Sequence, residues 1–235
     1  MESELEIEET EQEIEETARV IVSFTYSYTQ NKQGKQNEQP ESEPTSSLTD
    51  IISTLQSLSS EIWDDIICKQ VIQIPKLLQS LSALSLYKVG THIDLNVDQQ
   101  RIEVRKSSRL CLFYIQVYGD EQVQTELVNQ EYGRVMSLSF STAGGKGEEQ
   151  DEEIENVLNR ISGFLNALHK GRNNVYQPSF QPLPLLARRS EEQIEEEGAN
   201  EELEAQMNNN VYDGIIKQEA NEAKAVILNH FIRRG

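Results

Sequence analysis

Two cysteines, one tryptophan and six prolines are all that the 235 residues hold of those three types. Cys68 and Cys111 each sit in an apolar run, with no C-x-x-C pair and no histidine at metal-ligand spacing. A disulfide-stapled scaffold and a zinc site are therefore set aside, and two buried thiols in a reducing compartment are expected. Cations are scarce too, with 21 Lys or Arg against 40 Asp or Glu and a net charge of −19. Binding to phosphate backbones needs clustered cations that displace condensed counterions, so no nucleic-acid partner is expected. No uncharged apolar stretch approaches the ~20 residues of a membrane span. The first residues are acidic where a secretory leader is basic and then apolar. A soluble intracellular protein without a membrane partner is the expectation.

The charge that is present is unevenly placed. Residues 1–16 hold nine acids, residues 148–155 six and residues 191–204 eight, and these segments contain no Lys or Arg. Outside these blocks 21 bases face 17 acids, so the rest of the chain is slightly basic and the acidity is expected in solvated surface blocks. Hydrophobic residues make up 37% and aromatics 6%, which suits long solvated helices with disordered acidic and polar insertions.

Hairpin signals are nearly absent, since Asp213-Gly214 leads into a helical pattern. Residues 1–16 start a helix, with Ile7 and Ile14 one heptad apart, followed by Thr17-Ala-Arg-Val-Ile-Val-Ser-Phe24. Residues 31–47 are rich in Gln, Asn, Glu, Pro and Ser and read as a polar linker, because they cannot bury enough apolar surface to offset ordering entropy. From Leu48 the apolar residues fall at helical spacing in three short runs, with Pro75 suited to a first helical turn. Residues 91–100 are expected to loop out. Residues 102–117 resume as a helix, although Leu110, Leu112 and Tyr114 alternate like a strand. Gly119-Asp120 breaks that helix. Shorter ones follow over 122–128 and 135–140, and a strongly amphipathic one runs from Ile154 to Leu168. After an irregular loop over 171–184 the helical list ends with 185–197, 201–207 and 215–234. The class is all-α.

The chemistry-bearing residues point to binding rather than catalysis. Lys146 lies in Gly144-Gly-Lys-Gly147, too short for a phosphate cradle and without the Ser or Thr that must follow the lysine. His92, His169 and His230 are far apart, none with a ligand at metal spacing, and His169 reads as a helix-end residue. No acid pair, triad or metal cluster has the spacing that catalysis requires, so no catalytic residue, metal or cofactor is assigned. Arg188-Arg189-Ser190 abuts the third acidic block and reads as its ion-pair partner. Trp63, Tyr114 and Tyr118 read as core aromatics.

Helices that are apolar on more than one side cannot bury themselves alone and need stacked neighbours, which is the logic of an α-solenoid. Three stretches carry a more specific likeness: Glu103-Val-Arg-Lys-Ser-Ser-Arg-Leu-Cys-Leu-Phe-Tyr-Ile115 with Gly119-Asp-Glu-Gln-Val-Gln-Thr-Glu-Leu-Val-Asn-Gln130; Asp151-Glu-Glu-Ile-Glu-Asn-Val-Leu-Asn-Arg-Ile-Ser-Gly-Phe-Leu-Asn-Ala167; and Ile194-Glu-Glu-Glu-Gly-Ala-Asn-Glu-Glu-Leu-Glu-Ala-Gln206 with the segment that ends at Phe231. In order and spacing they resemble the C-terminal repeats of the importin-alpha family of armadillo proteins, clearest over 103–231. The resemblance implies an acidic start with a partial repeat over 1–30, the linker at 31–47, and armadillo-like repeats over 48–235. It implies a non-enzymatic adaptor in nuclear protein import, present in cytoplasm and nucleus, whose partner is a basic localisation peptide or a transport receptor. A structural subunit of a larger complex is the alternative. The family's groove carries Trp and Asn four residues apart, and the corresponding positions here are Val20 and Phe24, Leu110 and Tyr114, and Asn159 and Gly163. A Trp there stacks on the stem of a bound Lys or Arg and the Asn holds the peptide backbone. With that ladder replaced, affinity for Lys/Arg-rich signals is expected to be weak.

Overall fold

Every segment whose apolar residues recur three and four apart is helical. The computed structural model describes residues 2–34, 45–89, 93–141, 151–207 and 215–232. Among them the helices are α1 (Glu2–Gly34), α2 (Thr45–Glu61), α3 (Asp65–Gln73), α4 (Leu77–Leu84), α5 (Leu95–Tyr118), α6 (Glu121–Asn129), α7 (Tyr132–Ser141), α8 (Asp151–Lys170), α9 (Pro184–Glu196), α10 (Ala199–Met207) and α11 (Ile215–Ile232). Among the described residues an isolated antiparallel bridge also joins Arg172 and Phe180. The all-α class is thus shown. The helices group into two units, Met1–Gly119 and Asp120–Gly235, the break falling where Gly119 ends one helix and Asp120 caps the next.

In the first unit α1 packs on α2 and α4, and both of these pack on α5. The buried stripes follow the helical period: Ile14, Ala18 and Ile21 on α1, and Leu48, Ile51, Leu55 and Leu58 on α2. Leu77, Leu78, Leu81 and Leu84 make α4 apolar on two sides, as a helix between neighbours must be. Cys68 and Cys111 are buried thiols not joined in a disulfide, and burial pushes the Cys111 pKa well up.

Helix ends explain where the sequence reading shifts. Asp94 accepts from the N–H groups of Asn96 and Val97 at 3.0 Å, so α5 begins at Leu95, inside the stretch expected to loop out. Lys76 adopts a left-handed φ of 67°, which delays α4 to Leu77 and leaves Pro75 in the preceding turn rather than in a first helical turn. Around the expected linker, α1 runs on through Gly34, since no proline precedes Pro40, and α2 already begins at Thr45. Residues 35–44 lie outside the described residues, as do the Gly-rich stretch 143–147 and His92.

The second unit is built around α8, which packs on α7, α9 and α11, while α10 packs on α11, α7 and α9. Ile154, Val157, Leu158, Ile161, Phe164, Leu165 and Leu168 form its buried stripe. Tyr132 of α7 meets Phe164 edge to face at 4.8 Å between centroids. A Cβ on Gly133 would lie 3.2 Å from the Ser190 carbonyl oxygen, so α7 and α9 approach closely at that point. The expected irregular loop after α8 is tied down: Arg172 and Phe180 exchange backbone hydrogen bonds, and the Arg172 guanidinium lies 4.7 Å from the Phe180 ring centroid and donates to the Pro178 carbonyl at 2.8 Å.

Two glycine substitutions separate space from strain. Gly171 has φ of 72° and a Cβ there would stand 2.6 Å from the Phe180 carbonyl oxygen, whereas Gly163 is exposed in mid-helix with nothing within 4 Å. Gly171→Ala is expected to destabilise by about 1–3 kcal/mol, and Gly163→Ala to stabilise by about 0.5–1 kcal/mol. Urea titration followed by circular dichroism checks both. Leu81→Ala in the first unit is expected to cost about 2–5 kcal/mol in the same assay, because Leu81 is fully buried.

Candidate functional site

The six groove positions named from the resemblance fall in three places. Val20 is 48% exposed on α1 and lines a shallow depression of ≈ 370 Å³ with Ser53, Thr54 and Ser57 of α2. Phe24, one turn on, is half-buried, with its ring 5.8 Å from Tyr87, and Tyr28 lies 4.8 Å from the same ring. Leu110 and Tyr114 are half-buried on α5, where Tyr114 lies 5.7 Å from Phe113 and 6.2 Å from Tyr118. Asn159 and Gly163 are exposed on α8, in the second unit. Val20, Asn159 and Gly163 are thus exposed, whereas Phe24, Leu110 and Tyr114 are half-buried, Phe24 beside Tyr87.

That cluster is electrostatically unusual. The Lys88 ammonium lies 6.0 Å from the Tyr28 ring centroid and 5.9 Å from that of Tyr87. Burial, then the nearby Arg101 guanidinium, hold the Lys88 pKa below its ordinary value, and burial with Tyr28 pushes the Tyr87 phenol up. Arg101, Arg105 and Arg109 repeat every four residues on one side of α5 and are all buried. Arg105 donates to the Tyr87 carbonyl and Arg109 to the Ser85 carbonyl, each at 3.2 Å. They thereby satisfy carbonyls just beyond the end of α4, where the helix dipole favours a cation.

Sequence reasoning missed a larger concavity. Between α1 and α3 lies a groove of ≈ 660 Å³, with Ile14, Ala18 and Val22 from α1, Ile74 and Pro75 beyond α3, and Glu11, Glu15 and Gln70 among its polar walls. The signal was there in Glu11, Glu15 and Arg19 at spacings of four, which put them on one side of a helix, but nothing in the sequence said that α3 would lie opposite. Trp63 was expected in the core and is instead 62% exposed in the turn between α2 and α3, because the neighbouring Asp64 caps α3 and turns the chain outward. Val175 and Tyr176 are 96% and 90% exposed on the loop after α8.

The acidic blocks are less uniformly solvated than their composition suggests. Glu153 and Glu191 are buried, and Glu191, at 1% exposure, meets His169 Nε2 at 2.6 Å. Arg188 pairs with Glu192 at 2.9 Å and Arg189 donates to Asn129 at 2.7 Å, while Ser190 is buried, so this basic pair acts within the fold and the serine is closed to modification. Among the described residues no group of three or more His, Cys, Asp or Glu stands where it could hold a metal ion. No described helix is long and apolar enough to cross a membrane. Compared with known proteins, the chain matches no family model, no curated protein and no solved structure.

Burial, then the Lys170 ammonium, hold the His169 pKa below its ordinary value. The unfolded imidazole therefore takes up a proton first, and the contribution is fully present above about pH 6.5 and lost as the pH falls below it. Stability measured by urea titration is expected to drop on acidification more steeply in the wild-type protein than in His169→Gln. Identical slopes would show that the imidazole carries no such linkage.

Proposed function

We propose that the chain is a non-enzymatic protein-binding module of armadillo-like helical repeats, an adaptor of the importin-alpha kind that carries an extended peptide in nuclear protein import. It works in cytoplasm and nucleus. The observation that supports this reading is that positions four residues apart lie outside the buried stripes of two helices, Leu110 and Tyr114 half-buried on α5 and Asn159 and Gly163 exposed on α8. Helix α5 packs on α2 and α4 and helix α8 on α7, α9 and α11, so a ligand would meet these helices on the sides that their neighbours leave uncovered. The likeness of residues 103–231 to armadillo repeats supports the same assignment. Exposed Trp63, Ile66, Val175 and Tyr176 favour a second reading, a subunit that packs within a larger protein assembly.

The ladder logic is tested by restoring it. A fluorescein-labelled Lys/Arg-rich peptide is expected to bind the wild-type chain more weakly than about 1 μM. The double variant Leu110→Trp, Tyr114→Asn supplies one cation–π platform and one backbone-binding amide, and a gain of about tenfold is expected. Fluorescence anisotropy reads both values. Nanomolar binding by the wild type overturns the weak-affinity expectation, and no gain in the double variant overturns the placement of Leu110 and Tyr114 in the groove.

A further inference from the structure

Each unit holds out a small apolar surface that its own packing leaves open, and the two surfaces are edged by opposite charge. In the second unit the loop after α8 carries Val175 and Tyr176 almost fully exposed at its tip, and Leu185 is exposed where the chain enters α9. This loop is fixed by its own bonds. The Arg172–Phe180 bridge closes its base, and the Leu183 N–H donates to the Leu168 carbonyl at 2.7 Å. At the tip Asn174 Oδ1 accepts from the Tyr176 N–H at 3.0 Å, and Asn174 Nδ2 donates to Gln177 Oε1 at 2.8 Å. The backbone therefore has little freedom left to lose when the tip docks. In the first unit Trp63 and Ile66 are exposed on either side of Asp64, whose carboxylate accepts from the Ile67 N–H at 2.9 Å and so fixes that corner. Large apolar side chains held rigidly in water mark contact surfaces.

We propose that the Val175–Tyr176 tip of one copy of this chain docks on the Trp63–Ile66 corner of a second copy, head to tail. This names a partner for the assembly reading and rests on that reading, not on the adaptor one. Charge selects the occupant. Residues 156–190, which include the loop, hold five Lys or Arg and no acid, whereas residues 45–68, which include the corner, hold four acids and no Lys or Arg. Contacts within the chain use part of each set. Arg160 lies beside Glu153, Arg188 is held by Glu192, Arg172 is buried against Phe180, and Asp65 is held by Lys69 at 2.7 Å. The charges left over are still opposite. Lys170 is exposed where the loop begins and Arg189 is bonded by the neutral Asn129, while Glu61 precedes the corner and Asp64 is bonded by an uncharged N–H. The net charge of −19 opposes self-association, but charges more than ~8 Å apart are screened at physiological salt, so local pairing decides. Tyr176 and Trp63 are of the residue types that dominate contact energies. Because the two surfaces differ, the contact is heterologous, and each copy has one of each to offer, so assembly runs past the dimer into a ring or a chain. Five apolar side chains cover less than the ~1,200 Å² of a standard interface, so the association is weak.

The test is sedimentation velocity of the full chain between about 1 and 300 μM, where assembly with a Kd of about 10–100 μM is expected. The corner variant Trp63→Ser, Ile66→Ser and the loop variant Val175→Ser, Tyr176→Ser are each expected to weaken it by about tenfold or more. All four side chains are exposed, and the Asn174 turn bonds the backbone of Tyr176 rather than its ring, so both variants keep their fold, which circular dichroism checks. Mixing the two variants is the deciding measurement. One keeps a loop and the other a corner, so the mixture is expected to regain the wild-type affinity and to stop at dimers. Lys170→Glu is expected to weaken assembly by about threefold or more. A mixture no more associated than its components, or an affinity unmoved by Lys170→Glu, overturns the contact. Wild-type assemblies that persist unchanged in both variants overturn it and leave the assembly reading standing. A wild type that is monomeric at every concentration overturns it and leaves that reading to a different protein, or to a lipid surface if the monomer co-sediments with phosphatidylserine vesicles through Val175 and Tyr176.

Discussion

Unit one depends on how a long helix with buried charge is satisfied. Helix α5 is covered by α2 and α4, yet it buries Arg101, Arg105 and Arg109, and a guanidinium removed from water must find acceptors. The carbonyls that follow α4 supply them for Arg105 and Arg109, through Tyr87 and Ser85, while Arg101 pairs with Asp98 at 3.5 Å. A short helix ends with carbonyls that have no partner within it, and a long helix brings donors at every fourth residue, so each element removes the other's deficit. The position of Tyr87 follows from this, and with it the ring cluster that holds Phe24 and Tyr28 of α1.

The second unit solves a similar problem with carboxylates. Glu191 comes from a block of eight acids that composition assigns to solvent, but its place on α9 turns it toward α8, where His169 meets it. Pairing matters more here than charge, because an isolated buried carboxylate is costly, whereas one that shares a hydrogen bond with a neutral imidazole is tolerable. The close approach of α7 and α9 at Gly133 and the tied loop of Arg172 and Phe180 hold that pair in position without cross-links.

Much of the helical order was legible in the sequence because it rests on local periodicity. The three runs after Leu48 became α2, α3 and α4, and the strand-like alternation at Leu110 gave way to helix because residues on both sides of α5 are buried. Errors gathered at helix ends, where a single side chain decides: Asp94 started α5 early, and Lys76 delayed α4. Of the six groove candidates, Val20, Asn159 and Gly163 are exposed and Leu110 and Tyr114 half-buried, whereas Phe24 lies in an aromatic cluster with a residue more than sixty positions away. No local pattern announces such a partner.

The sequence by itself determined the helical class, the scarcity of cross-links and the uneven spread of acid, since each of these follows from residue type and spacing of a few positions. The tertiary structure decided which acids are buried, which arginines serve as caps and that α3 faces α1 across a groove. These are contacts between residues far apart in the chain, and their energies depend on what the partner helix presents, which composition and periodicity do not encode.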